Sequence, residues 1–216
     1  MFTSASNFTN NVDAVFLYIA GLSLIVLIGI TVAMVYFVIR YSRKRNPVPT
    51  HVEENLTLEI LWTGIPLLLF ISMFYFGWVG YTDMRAIPAD ALQIKVTARM
   101  WQWGFEYPNG LKTDTLYVPA GKAVRVELHS NDVNHAFFVP AFRIKKDVYA
   151  NRKNDLWFQS EKIGRYDIAC AEYCGLQHSG MYSAVYIMEQ KDFDKWYKNA
   201  SMKTGLQPLL SAEAKK

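Results

Sequence analysis

Two long stretches of this chain carry no charged residue: positions 14–39 and positions 60–82. Each is longer than the roughly 20 apolar residues that cross a bilayer core as a helix. A helix satisfies its own backbone polar groups, so it is the least costly way to cross. The pattern predicts two membrane-spanning helices in hairpin order rather than two core helices of a small domain. Beyond position 83 the period changes. LQIKVTARMWQWGFEY (residues 92–107) alternates apolar and polar positions, and VRVELHS (124–130) repeats the pattern after the turn-forming PAGK at 119–122. LWFQSEKIGRYDIAC (156–170) and MYSAVYIME (181–189) are further strand candidates. Short strands broken by Gly, Pro and Asn predict a sandwich or barrel. KDFDKWYKNA (191–200) reads as a helix and leads into a polar tail. The expected organisation is a hairpin within 1–83, a β domain over 84–190, and a C-terminal helix and tail over 191–216.

Charge then gives the hairpin a direction. The 13 residues ahead of the first run lack Lys and Arg, whereas Arg40, Arg43, Lys44 and Arg45 follow it. A basic start would mark a cleaved signal peptide. A basic cluster behind the first span instead holds the 40–55 loop on the cytoplasmic side. The N-terminus and everything after Asp83 are then expected on the outer face, with Phe76, Trp78 and Tyr81 suited to the interfacial aromatic belt. The formal net charge is +4. No basic stripe with interleaved aromatics accompanies it, so nucleic acid is not an expected partner.

The chain has two cysteines, and both lie in CAEYCGLQHSGM, residues 170–181. A disulfide four positions apart closes a very small loop and contributes little. Zinc would need Cys170, Cys174, His178 and one distant histidine. A single copper would take one Cys, two His and a weak Met. A second thiolate allows two bridged coppers, each with one imidazole and one weak donor. Soft thiolate and thioether donors favour copper; the spacing leaves these readings open. Of the remaining histidines, His51 falls in the cytoplasmic loop. His129 sits within an alternating strand. His135 follows a strand end in SNDVNHAFFVP and is the favoured distant ligand.

These residues resemble the dinuclear CuA signature of cytochrome c oxidase subunit II, with the pattern C-x-E-x-C-x3-H-x2-M. Three other stretches agree in order. VPAGKAVRVELHSNDVNHAFFVP is similar to the family's segment bearing the first histidine ligand. WQW at 101–103 is similar to its aromatic patch. LEILWTGIP at 58–66 is similar to the start of its second transmembrane helix. The resemblance implies a two-helix transmembrane hairpin followed by an all-β cupredoxin-like Greek-key barrel. It also implies a dinuclear copper centre bridged by Cys170 and Cys174. His135 and Met181 would complete one copper, and His178 with the Glu172 carbonyl the other. The Glu172 carboxylate would reach a magnesium ion shared with the catalytic subunit, Trp101 would be the electron entry point, and Glu59 would lie at the mouth of a proton channel. The implied function is an electron-transfer subunit of a membrane haem-copper oxidase, taking electrons from cytochrome c. It would pass them to the catalytic haem subunit for oxygen reduction coupled to proton pumping. The implied location is a bacterial inner membrane with the copper domain in the periplasm, or a mitochondrial inner membrane.

Some positions depart from the family. Ala150-Asn151 stands where many relatives have Pro-Gly before the residue equivalent to Arg152, and Ile163-Gly164 replaces another Pro-Gly. YPNGLK at 107–112 has Lys112 and no acid where many relatives are acidic, which argues against a strongly basic donor. The copper subunit of a nitric oxide reductase is the alternative reading, since the acceptor is chosen in the partner. A quinol oxidase subunit lacks the copper ligands. Nitrous oxide reductase needs no membrane hairpin, and a copper-delivery protein would hold its metal less completely.

Overall fold

The computed structural model describes residues 4–48 and 54–205. The chain divides into two compact units. One is Asn11–Tyr81, and the other joins Thr82 onward with the segment up to Asn10.

The first unit is built from α1 (Thr9–Arg40, 32 residues) and α2 (Leu56–Arg85, 30 residues). At about 1.5 Å per residue each exceeds the roughly 30 Å hydrocarbon core. No residue in their apolar windows is buried by the rest of the chain, as expected of surfaces that face lipid or other membrane helices. Tyr18 and Ser72 share a 2.6 Å hydroxyl contact, and the Tyr18 and Phe76 rings meet edge-on. A Cβ at position 80 would lie 2.8 Å from the Asn11 amide, so any larger residue there would make that side chain turn away.

The second unit is β. Its strands are β1 (Leu92–Arg99), β2 (Gln102–Glu106), β3 (Lys112–Thr113), β4 (Leu116–Pro119) and β5 (Val124–Ser130). They continue with β6 (His135–Val139), β7 (Ile144–Val148), β8 (Asn154–Phe158), β9 (Gly164–Cys170) and β10 (Tyr182–Met188). Two five-stranded sheets result, ordered β3-β2-β1-β5-β8 and β4-β10-β9-β6-β7. Most neighbours are antiparallel, but β1 runs parallel to β5 and β4 parallel to β10. The expected all-β domain is therefore present as a two-sheet Greek-key arrangement. Burial alternates as the pleat requires: Ile94, Val96 and Ala98 of β1 and Val124, Val126 and Leu128 of β5 point inward.

The alternating run 92–107 is two strands, not one. It turns back at Met100-Trp101, and β1 pairs with β2 from Lys95↔Glu106 to Arg99↔Gln102. Apolar positions are even from Leu92 to Met100 and odd from Trp101 to Tyr107, so the alternation slips phase by one residue at the turn. The run 156–170 likewise breaks between β8 and β9.

A last helix, α3 (Gln190–Lys203), buries Phe193, Tyr197 and Ser201. These are four residues apart, one face of a helix. It carries Trp196 and Tyr197 onto Tyr107 and Tyr117. At the other end, the N-terminal segment is tied to the β unit. Asn7 N–H donates to the Gln159 carbonyl, and Gln159 N–H donates to Asn7 Oδ1, both at 3.0 Å. Phe8 packs edge-on against Trp157.

Candidate metal centre

The site forms where two strand ends meet. Cys170 is the last residue of β9, and Met181 immediately precedes β10. Cys170 N–H donates to the Met181 carbonyl at 3.1 Å, closing the intervening loop at its base. The loop is held by His178 N–H on the Gly175 carbonyl (3.1 Å) and Met181 N–H on the His178 carbonyl (3.2 Å). β6 pairs with β9 at Phe137↔Cys170. That register places His135, two residues earlier and so on the same face, beside the β9 terminus.

Five predicted side chains and one carbonyl converge. Cys170 Sγ lies 3.7 Å from Cys174 Sγ and 3.7 Å from His135 Nδ1. Cys174 Sγ is 3.5 Å from His178 Nδ1 and 3.8 Å from Met181 Sδ. The Glu172 carbonyl oxygen is 3.3 Å from Cys170 Sγ. His135 and Met181 are fully buried, and both cysteines are buried as free thiols. A disulfide holds its sulfurs about 2 Å apart, so this pair is not one. With metal–sulfur bonds of about 2.3 Å and metal–nitrogen bonds of about 2.0 Å in tetrahedral geometry, donors sharing one metal sit roughly 3.5–3.8 Å apart. The observed separations fit such a sphere. His135, Cys170 and Cys174 alone offer three donors within 4.8 Å of one another.

The protonation chemistry agrees. Burial, the neighbouring Cys170 thiol and the negative charge of Asp132 push the Cys174 thiol up to about 12. Without a cation the Cys174 thiol stays protonated at neutral pH; a soft cation bound there as thiolate displaces that proton.

Asp132 adjoins this site and was not among the residues that the sequence singled out. Its Oδ1 accepts from His135 Nε2 at 2.8 Å and from Val133 N–H at 2.7 Å, and its Oδ2 accepts from Met100 N–H at 2.7 Å. Burial works to raise its pKa, but the His135 and backbone hydrogen bonds outweigh it and hold the carboxyl below its usual range. Its only signal in the sequence is an acid three positions before a candidate ligand.

Trp101 lies against the metal loop. A Cβ at Gly175 would meet its ring at 3.4 Å, and Gly175 has a φ of 113° that side chains rarely adopt. Trp103, from the same WQW stretch, is buried with its ring centroid 6.2 Å from that of His135. The Glu172 side chain is exposed. Glu59 lies in the first turn of α2, in the other unit, exposed and suited to the positive end of the helix dipole. His129 is exposed on β5, away from the core face, and His51 lies outside the described residues.

Comparison with known proteins gives this geometry its family. Residues 1–77 match the model for the cytochrome c oxidase subunit II transmembrane domain, and residues 110–188 match that for its periplasmic domain. A probable cytochrome c oxidase subunit 2 of Rickettsia felis is 31% identical over 86% of this chain and 70% of its own length. The chain belongs to the cytochrome c oxidase subunit II family. The subunit 2 of Cereibacter sphaeroides is 29% identical over 80% of this chain and 70% of its own length. The crystal structure of the periplasmic domain of subunit II of a Bradyrhizobium japonicum cytochrome oxidase is 32% identical. It aligns with a TM-score of 0.53 over 55% of this chain and 99% of that one. Members of this family are subunits of an oxidoreductase complex. The family implies a copper centre, and the thiolate, imidazole and thioether donors gathered here fit one. Two candidate membrane helices and a domain of the periplasmic type make this a membrane protein.

Proposed function

We propose that this chain is the electron-entry subunit of a membrane haem-copper oxidase, with a dinuclear CuA centre bridged by Cys170 and Cys174. His135 and Met181 would complete one copper, and His178 with the Glu172 carbonyl the other. What supports the reading is the set of donor separations, 3.5–3.8 Å among two thiols, two imidazoles and a thioether. A single tetrahedral metal would leave donors over.

When bound, the copper pair takes up and gives back one electron. The chain's own residues do the rest. Buried Cys170, Cys174, His135 and Met181 exclude water and fix donor positions, so little rearranges on electron transfer. Trp101, seated on Gly175, offers an aromatic contact between the surface and the metal loop and is the proposed entry for electrons from cytochrome c. The exposed Glu172 carboxylate would reach a magnesium ion held jointly with the catalytic haem subunit. Glu59 would stand at a proton-channel entrance on the cytoplasmic side. The electrons would serve oxygen reduction coupled to proton pumping, with the outer domain in the periplasm.

The test is metal stoichiometry and magnetic resonance on the purified full chain. Two coppers per chain, and an oxidised signal split by two equivalent copper nuclei, are expected. One copper with a single-nucleus pattern would reject the dinuclear centre. Gas uptake by the intact complex then separates oxygen reduction from the nitric oxide alternative.

A further inference from the structure

We propose that Asp132 is a positioning residue that locks together the His135 ring and the Met100-Trp101 turn, so that one carboxylate fixes both a metal ligand and the segment carrying the entry aromatic. The inference rests on the copper reading above.

The simpler reading is that Asp132 only shapes its own turn. Its contacts to Val133 N–H (2.7 Å) and Ser130 Oγ (3.3 Å) are what such a turn needs. Two others are not. Met100 N–H, 32 residues away in sequence, reaches Oδ2 at 2.7 Å from the β1–β2 turn. His135 Nε2, on a fully buried ring, meets Oδ1 at 2.8 Å. The geometry assigns the tautomer. Nδ1 faces Cys170 Sγ at 3.7 Å and is the metal-facing nitrogen. The proton of a neutral imidazole must then sit on Nε2, where it requires an acceptor. Asp132 is that acceptor, and it orients the ring as carboxylates commonly orient ligating histidines.

The second oxygen extends the effect. Met100 precedes Trp101, whose ring rests on Gly175, the residue after Cys174. The same carboxylate therefore spans from the entry turn to a ligand on β6. Only a group with two acceptor oxygens can do this. An asparagine in its place would carry one oxygen and one NH2. Turned either way, that amide would set a donor against Met100 N–H or against His135 Nε2–H.

The experiment compares Asp132→Asn and Asp132→Ala with Ser130→Ala in the full chain in detergent. Ser130 belongs to the same turn and its hydroxyl donates to Asp132 Oδ1 at 3.3 Å, but its removal leaves the Met100 N–H and His135 contacts of the carboxylate in place. Copper content and the two-copper signal of the unsubstituted chain are read first; their failure rejects the copper centre and is a separate result. Both Asp132 variants are expected to lose about 10- to 100-fold in copper affinity, with a changed nitrogen coupling from one histidine. In Asp132→Ala the Met100 amide also exchanges at least tenfold faster. Ser130→Ala should move neither readout. Equal effects from Ser130→Ala, or unchanged histidine coupling and Met100 exchange in the Asp132 variants, would overturn the proposal. Nitrogen NMR of the copper-free, unsubstituted chain gives a further measurement independent of how the variants fold. His135 is expected as the Nε2–H tautomer, and a proton on Nδ1 would also overturn it.

Discussion

At the residue scale, Met181 and Gly175 differ in what they contribute. Met181 is fully buried, with its sulfur 3.8 Å from Cys174 Sγ. Met181→Leu conserves volume, so the fold should lose less than about 1.5 kcal/mol. Copper should be retained while its potential shifts, because an axial thioether tunes potential more than it holds the metal. Redox titration checks this; complete loss of copper would show that Met181 is not a weak ligand. Gly175 works through backbone and space. Its φ of 113° strains any side chain there, while a Cβ would only touch the Trp101 ring at 3.4 Å. Gly175→Ala should cost about 1–3 kcal/mol and shift the strained loop backbone on which Trp101 rests. Reduction by cytochrome c should then slow relative to reduction by a small ruthenium complex in stopped-flow traces. An unchanged ratio would remove Trp101 from the entry route.

At the element scale, α3 and the β2–β4 segment depend on one phenol. Tyr107 O–H donates to the Tyr117 carbonyl and accepts from Tyr117 N–H, both at 2.8 Å, while its ring packs against Trp196 and Tyr197 of α3. Tyr107→Phe keeps the ring but leaves Tyr117's backbone groups without that partner, at a cost of about 1–3 kcal/mol. Burial raises the Tyr107 pKa far above its ordinary 10.0. The folded chain therefore keeps a proton that the unfolded chain releases above about pH 10. Stability from this group is complete below that pH and falls as pH rises through the folded value. Melting curves from pH 7 to 11 should show alkaline loss in the parent chain, and a less stable but flatter profile in Tyr107→Phe. Parallel slopes would locate the sensitive group elsewhere.

At the scale of the whole molecule, charge and topology decide how partners meet it. Glu106 lies at the edge of the aromatic stretch, and Lys95 at 4.0 Å and Lys112 at 3.6 Å flank it. The Glu106 carboxylate is thus partly neutralised by its own sheet. Electrostatic steering would make the donor rate fall steeply with salt. The rate with cytochrome c should instead change less than about threefold between low and roughly 0.2 M ionic strength. A fall of about ten-fold or more would mean an acidic docking surface exists elsewhere on the complex. The N-terminal segment pairs with Gln159 of the β unit.

The two membrane helices were legible in the sequence because lipid imposes a constraint on every residue of a span: uncharged runs at 14–39 and 60–82 admit few other readings. The ligand types were legible too, because four of the five donor side chains are packed into residues 170–181 and coordination chemistry restricts what such spacing can hold. Local pattern marked the reversal at Met100-Trp101 only as a slip of phase, with apolar positions even up to Met100 and odd from Trp101. It gave only a preference between His129 and His135. That choice was made by the β6–β9 register, a long-range pairing that buries one ring beside Cys170 and leaves the other exposed. Asp132 was hidden for the same reason. An acid in a turn is ordinary by itself, and its meaning arises only when β1, β6 and β9 bring Met100 and His135 to its two oxygens. Sequence alone thus determined the spans and the donor chemistry. Tertiary structure decided which donors meet and what orients them, because those distances depend on strand register between segments far apart in the chain.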